Sequence, residues 1–409
     1  MPTNTLLTIS QITREALRLF LNSNAFLQTI DKQYDPQFAR TGGGKIGATL
    51  RIRLPNDYTV RSGASAASPQ DTTERNTTLT VATQKGVDVS FSSADLSLSL
   101  SDFGTRILRP MMNSLAGAVA TDVMSLVEGV PNVVHAVDGS NNTISPTATT
   151  WLQAGAVLDQ LSAPRGERCA ILDVLTQSRT VAGFTGLFNP TNDTSDRWRT
   201  GLMGTRALGI DDWRMDQTAI LHTTAAYGTL ATVTSVSADG LTLTTAALNG
   251  PLTKGDIVTI VGVNSVNRVT KADNGVLAQF VVTANAATSA TSVSIYPPLI
   301  PPSGGNPVQY QTVSRAISGS PALASPIKAS EVYRKNFVFL KEAFTLATAD
   351  LDLPTGAVVD CSRQVYDGVS IRIIRDYITT TDQWLTRSDI LYGYTSPRAE
   401  WCVIVADST

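Results

Sequence analysis

The sequence predicts an α+β protein with an all-β domain inserted into it. Three observations carry that expectation. Residues 102–128 repeat apolar side chains at helical spacing. Residues 46–91 hold two alternating, strand-like runs around a polar segment of about twenty residues, an unusual length for a connection inside a domain. From about 223 the chain becomes a series of short Val/Thr/Ile-rich runs separated by Asx-Gly turns.

Thr8 to about Asp31 is predicted helical. Thr8 and Gln11 have capping-box spacing, and Ile9, Ile12, Ala16, Leu19 and Phe20 follow helical steps. This stripe packs either on its own domain or on a neighbour. Next comes GGGKIGATLRIRL, residues 42–54, where Gly42, Gly44 and Gly47 have the spacing of a dinucleotide-binding turn and Lys45 follows a glycine. Context rejects both nucleotide readings. A dinucleotide turn follows a strand and opens a helix, whereas these glycines precede a strand. A phosphate loop needs glycine where Ala39 stands and Ser or Thr where Ile46 stands. The glycines are read as a permissive root for the strand that follows.

In that strand Ile46, Ala48, Leu50, Ile52 and Leu54 face one way, and Lys45, Thr49, Arg51 and Arg53 the other. Pro55-Asn56-Asp57 ends it. Residues 62–78, SGASAASPQDTTERNTT, offer almost nothing for a core, and strand character returns at Leu79, Val81, Val87, Val89 and Phe91. In the long helix Leu108, Met112, Leu115, Val119, Val123 and Leu126 form the predicted core stripe, and Gly129 ends it. Pro110 requires either a helix from Asp102 that kinks or a regular helix that starts at Pro110, since proline is tolerated only in the first turn.

Between 151 and 182 Trp151, Ala154, Leu158 and Leu161 share a helix face. Cys169 to Leu172 is a short buried strand, and Asp173 caps a second helix reaching Gly183. Residues 189–206 read as a polar loop. The runs 229–236, 241–245, 257–263, 277–283 and 291–296 are strands of a small sandwich or barrel, split by Ala238-Asp239-Gly240, Lys254-Gly255-Asp256 and Asp273-Asn274-Gly275. Mixed structure resumes near Phe337. Such an insertion requires its two ends to lie close together.

Composition narrows function. The chain has 409 residues, 42% of them hydrophobic and 16% charged, with a net charge of −2. No strong field draws it to nucleic acid or an acidic membrane. Three scattered cysteines, Cys169, Cys361 and Cys402, argue against a disulfide framework and for a reducing compartment. The first residues lack a signal-peptide pattern, and no apolar run reaches the ~18 residues of a membrane span. His135 and His222 sit in apolar strand-like runs and are read as core or edge histidines. HExxH, CxxC, EF-hand and GxSxG motifs are absent, so no catalytic residue, metal site or cofactor is assigned. Asp211, Asp212 and Asp216 are read as a polar turn rather than a carboxylate pair. Aromatic residues, 6% of the chain, do not cluster with basic ones, against a single-strand nucleic-acid groove.

Order along the chain then matters. Ser101-Asp102-Phe103 with Arg106 to Pro110, then Leu115-Ala116 and Thr121-Asp122, resembles the long spine helix of tailed-bacteriophage major capsid (coat) proteins. Gly209 to Trp213 through His222-Thr223 resembles the stretch before the inserted domain of the podovirus-type subgroup. Lys254-Gly255-Asp256, Gly262-Val263 and Leu277 to Val282 resemble its β-barrel. Asn336 to Phe339, Ala343-Phe344, Gly368 to Ser370 and Arg387 to Gly393 resemble the return to the host domain. The resemblance implies the capsid fold shared by tailed phages and herpesviruses. Its parts here are an N-terminal helical arm (1–35), an extended two-stranded loop (36–92), a peripheral domain with the spine helix (93–135), an axial domain (136–222), an inserted β-barrel (223–335) and a return segment (336–409).

It further implies a non-enzymatic subunit that forms pentamers and hexamers in an icosahedral procapsid around scaffolding protein. Portal protein and enclosed double-stranded DNA, weakly and non-specifically contacted, are its other expected partners. Assembly takes place in the host bacterial cytoplasm without a membrane. Arg51, Arg53, Asp57, Arg61, Asp71, Glu74 and Arg75 are the expected interface charges of the extended loop. A nine-residue strand reaches roughly 30 Å, far enough to lie over a neighbour. Only Lys45 lies near the loop root, so a non-covalent shell is expected. Competing readings are a cellular nanocompartment shell, a phage tail component, a β-rich carbohydrate-binding protein and an unrecognised hydrolase.

Overall fold

A computed structural model describes residues 9–34, 48–60, 75–92, 108–183, 205–218, 220–302, 308–354, 356 and 360–409. Thr8, the glycines of 42–47, Asp102, Arg61, Asp71, Glu74 and most of the 189–206 loop lie outside them. The chain forms two units. One comprises Met1–Arg53, Asn76–Val123 and Phe344–Pro397, and the other Leu54–Arg75, Met124–Ala343 and Arg398–Thr409.

In the first unit, helix α1 (Ile9–Ser23) buries Thr13, Ala16, Leu17, Phe20 and Leu21, a stripe at i, i+3 and i+4 steps. The stripe centres on Leu17, while Ile12 and Leu19 are only half-buried. It packs on strands β19 (Asp360–Tyr366) and β20 (Val369–Ile378) of the same chain. The single helix expected up to Asp31 is instead two. Asn24 accepts hydrogen bonds from the Phe26 and Leu27 backbone N–H groups at 2.9 and 3.1 Å and so starts a second short helix, α2 (Ala25–Thr29). A side chain that satisfies the orphan donors of a new helix ends the old one.

The sheet of this unit runs β1-β18-β21-β20-β19, where β1 is Asp31–Tyr34, β18 Thr345–Ala349 and β21 Gln383–Thr395. Strand β4 (Thr83–Ser92) also pairs with β21, from Gln383↔Ser92 to Tyr392↔Thr83. Strands β2 (Ala48–Leu54) and β3 (Arg75–Val81) form a separate two-stranded sheet. Its base is anchored where Leu79 and Val81 pack with Ala347, Ala349 and Leu391, Leu50 and Ile52 lying against them. Strand β3 passes close over Gly393. A Cβ there would lie 2.2 Å from the Thr80 carbonyl oxygen, so only glycine fits.

Pro110 is the second residue of helix α3 (Arg109–Met124), and the residues before Leu108, where a helix from Asp102 would begin, lie outside the described ones. Leu108, Met112, Leu115, Val119 and Val123 are buried, with Met111, Ala116, Ala120 and Met124 beside them. Leu126 is only half-buried and Val127 takes its core position. The reason is a change of winding. Residues Ser125–Gly129 form a 3₁₀ turn, whose three residues per turn stack Val127 directly over Met124.

The second unit is built on an eight-stranded sheet ordered β6-β5-β22-β17-β7-β9-β8, with β10 also paired to β17. The strands are β5 (Asn132–Val137), β6 (Thr143–Ile144), β7 (Arg168–Leu172), β8 (Thr205–Ala207), β9 (Ile210–Met215), β10 (Ile220–Thr223), β17 (Val332–Leu340) and β22 (Cys402–Ser408). Every residue of β7 is buried. Helix α4 (Ala148–Gln160), opened by a Thr147–Thr150 capping box, buries Trp151, Ala154 and Leu158 and packs on β5 and β22; Leu161 is its half-buried C-cap. Asp173 receives the Leu175 N–H at 3.1 Å at the start of helix α5 (Val174–Gly183). Asp211 and Asp212 stand within β9 rather than in a turn. Adjacent strand residues point to opposite faces, which excludes a paired-carboxylate site. Asp216, just past β9, makes the expected local bond to Thr218 N at 2.9 Å.

Strand β10 leads out of this sheet and β17 leads back, paired from Ile220↔Lys335 to Thr223↔Val332. The two ends of the intervening segment are therefore hydrogen-bonded neighbours. Within it a six-stranded sheet runs β11-β12-β15-β14-β13-β16, with β11 Val233–Val236, β12 Thr242–Thr245, β13 Ile257–Val266, β14 Asp273–Val282, β15 Ser292–Tyr296 and β16 Leu323–Ala324. Its edges meet: Val233 N donates to Pro321 O at 2.8 Å and Leu323 N to Ala231 O at 3.0 Å. Val233, Leu243, Val258, Ile260, Phe280 and Val293 fill the space between its strands.

Candidate functional site

Arg51 and Arg53 are exposed on β2, the outward face that strand alternation assigns them. Arg75 opens β3. Asp57 behaves differently. It turns back on its own chain, where Arg268 Nε meets its two carboxylate oxygens at 2.9 and 3.2 Å. The other end of that guanidinium, Nη1, donates to Glu400 Oε1 at 3.0 Å. Tyr296 Oη donates to Glu400 Oε2 at 2.9 Å, and Asn132 Nδ2 to the Glu400 carbonyl at 3.1 Å. Arg268 thus ties three sequence-distant segments together. Burial opposes its charge, yet Asp57 and Glu400 outweigh burial and hold its pKa above the ordinary value.

A second tie lies beside it. Gln279 on β14 accepts the Val133 N–H at 2.7 Å and donates Nε2 to the Val133 carbonyl at 3.1 Å. One side-chain amide thereby satisfies both groups of a β5 residue, as a neighbouring strand would. At the root, His222 Nε2 lies 3.0 Å from Asp256 Oδ1, and its ring meets Tyr333 edge-on with centroids 5.5 Å apart. Asp256 Oδ2 accepts from Thr253 N at 2.8 Å and Thr253 Oγ1 at 3.0 Å. His222 is accordingly a satisfied buried histidine. His135 is half-buried on β5, where burial lowers its pKa. Cys169, Cys361 and Cys402 are free thiols, and burial pushes that of Cys169 up to about 11.

These contacts hold parts of the chain in place, and Asp57, Asn132, Arg268, Gln279, Tyr296 and Glu400 line one cavity. Among the described residues, no helix is long and apolar enough to cross a membrane. One unit carries a separate two-stranded sheet with outward arginines and a helix with one buried face; the other carries a β-rich segment tied to an eight-stranded sheet. A sequence profile of the family described as P22 coat protein, gene protein 5, matches residues 1–403.

The chain belongs to the P22 coat protein family. It is a structural protein of the bacteriophage capsid that self-assembles into the virion shell. Comparison with curated proteins finds no match. Among solved structures the chain is similar to the capsid of cyanophage P-SCSP1u, with 10% identity, TM-score 0.48 and coverage of 94% of this chain and 88% of that one. It is similar to a chain of Mycobacterium phage Che8, with 9% identity, TM-score 0.44 and coverage of 93% and 90%. It is also similar to the capsid of Ralstonia phage GP4, with 6% identity, TM-score 0.41 and coverage of 93% and 86%. In this coat protein Arg268, Gln279 and Glu400 escaped the sequence reading. No motif marks them, and Asp57, Arg268 and Glu400 are brought together only by the fold.

Proposed function

We propose that this coat protein forms pentamers and hexamers that close an icosahedral procapsid around scaffolding protein in the host cytoplasm, then encloses the packaged double-stranded DNA. A portal protein is a further expected partner. The segment between β10 and β17 is the inserted barrel, a reading supported by the hydrogen bonds that join its two sheet edges. The observation that carries the shell proposal is the β2–β3 sheet. It belongs to neither large sheet, packs through Leu79, Val81, Leu50 and Ile52 on Ala347, Ala349 and Leu391, and presents Arg51 and Arg53 outward. The sequence adds charges of both signs at Arg61, Asp71, Glu74 and Arg75, and in this reading the loop meets a neighbouring subunit through them. Each exposed pair contributes about 0–1 kcal/mol, so single errors dissociate while many copies sum. The net charge of −2 suits a container that holds DNA weakly.

The test is co-expression with scaffolding protein, followed by negative-stain electron microscopy. The intact chain is expected to give closed particles of uniform size. A chain lacking residues 62–75 is expected to remain folded but assemble poorly. Normal shells at full yield from the shortened chain would refute the role of the arm. A strictly monomeric intact chain would refute the shell.

A further inference from the structure

Lys335 stands in the middle of β17, directly opposite Ile220 on β10, at the root through which the inserted segment leaves and returns. It is 1% exposed, and its Nζ has no hydrogen-bond partner among the described residues. A buried lysine without a hydrogen-bonded partner is rare, because its ammonium gives up hydration for nothing equivalent. The groups facing it come from each element around it. Tyr333 on its own strand has its ring centroid 6.0 Å away, and His222 follows on β10. Asp256 precedes β13, and Glu128 lies on the 3₁₀ turn after α3, with Lys254 Nζ 3.8 Å from it. On its other edge the paired residue of β22 is Ala406.

Gly255 is where these groups converge. Its φ is +93°, and a Cβ built there would lie 2.9 Å from His222 Cε1, 3.3 Å from His222 Nδ1 and 3.3 Å from Lys335 Nζ. Conformation and space both demand glycine. Asp256 holds His222 through Nε2, which leaves Nδ1 turned towards the lysine's side of the glycine. Two side-chain nitrogens therefore lie close to one backbone position.

We propose that Lys335, with His222 and Asp256, is a proton-operated latch that seats the inserted segment on its host sheet. When Lys335 is neutral the root closes. When it takes up a proton, a buried cation beside His222 favours opening, and the inserted segment gains freedom to reorient as neighbouring subunits dock. The geometry places the device on β10 and β17, the strands by which the segment leaves and returns. Burial lowers the Lys335 pKa to about 8, against the partial opposition of Glu128 and Asp256. The opened root binds more protons than the closed one between that value and the ordinary lysine value of about 10.5. Closure is thus weakest below pH 8 and strengthens as pH rises through that window.

The experiment is native-state proteolysis of the full chain by subtilisin from pH 7 to 9.5, with cut sites mapped by mass spectrometry. Rates at the root are divided by those on an unstructured peptide of the same sequence at each pH. The intact protein is expected to lose tenfold or more of its relative cleavage rate at the root across this range. Lys335→Met is expected to be slow and flat. Glu128→Gln, which removes a carboxylate that favours the ammonium, is expected to shift the profile to lower pH. A flat profile in the unaltered protein overturns the latch without any variant. An unchanged slope in Lys335→Met also overturns it.

Discussion

Replacing Arg268 by methionine isolates the tie between the segment joining β10 to β17, Asp57 and Glu400. Methionine keeps most of the apolar stem, so the loss reports the guanidinium. Three charge-assisted hydrogen bonds disappear, at 2.9, 3.2 and 3.0 Å. Removing one partner from a buried pair costs roughly 3–5 kcal/mol, because the other charge stays desolvated. Here the three side chains retain 19–23% exposure, so water partly rehydrates Asp57 and Glu400. The expected destabilisation falls to about 2–3 kcal/mol, in line with a charged hydrogen-bond pair. Urea unfolding followed by tryptophan fluorescence measures it. A double-mutant cycle with Glu400→Gln is expected to give about 1–2 kcal/mol of coupling. Arg268→Lys is expected to restore under half of the loss, since an ammonium cannot bridge both carboxylates as the planar fork does. A stability within about 0.5 kcal/mol of the parent for Arg268→Met, or a coupling near zero, would show that these bonds are decorative.

Two further outcomes are expected. Gly393→Ala places a methyl 2.2 Å from the Thr80 oxygen and 2.8 Å from its carbonyl carbon, both backbone atoms that cannot rotate away. Strand β3 must shift, at a cost of about 1–3 kcal/mol, and an unchanged urea midpoint would contradict the close approach. A fragment spanning residues 223–335 is expected to fold alone, because the six-stranded sheet encloses its own apolar cluster and its edges hydrogen-bond to each other. Calorimetry without a cooperative transition would refute that independence.

Local pattern accounts for much of this fold. Strand β7 and the Asp173 cap are visible in consecutive letters, as are most of the α3 stripe and the division of 223–335 into short strands. Each depends on residues within a few positions of one another, where periodicity and turn chemistry act directly. The departures have equally specific causes. Asn24 reads as one polar residue in an apolar stripe, yet its side chain competes for the backbone and splits the helix. Leu126 follows the 3.6-residue repeat that the chain abandons at Ser125. Asp211 and Asp212 resemble a turn because neither propensity nor charge reveals that β7 and β8 will flank them.

The most consequential residues were the least legible. Asp57 was singled out as an exposed arm charge, but its partner lies 211 positions away. Lys335 looks like a surface residue in VYRKNFVFL, yet β10 and β22 cover its strand on both edges. Helices, strands and turns could be read along one chain, because helical period, strand alternation and turn residues are local properties, whereas family and role came from a resemblance and the family match. Which charges stay exposed and which are folded inward could not. That choice belongs to the pairing of strands far apart in sequence, where burial, and not residue type, decides whether a charge is solvated, paired or trapped.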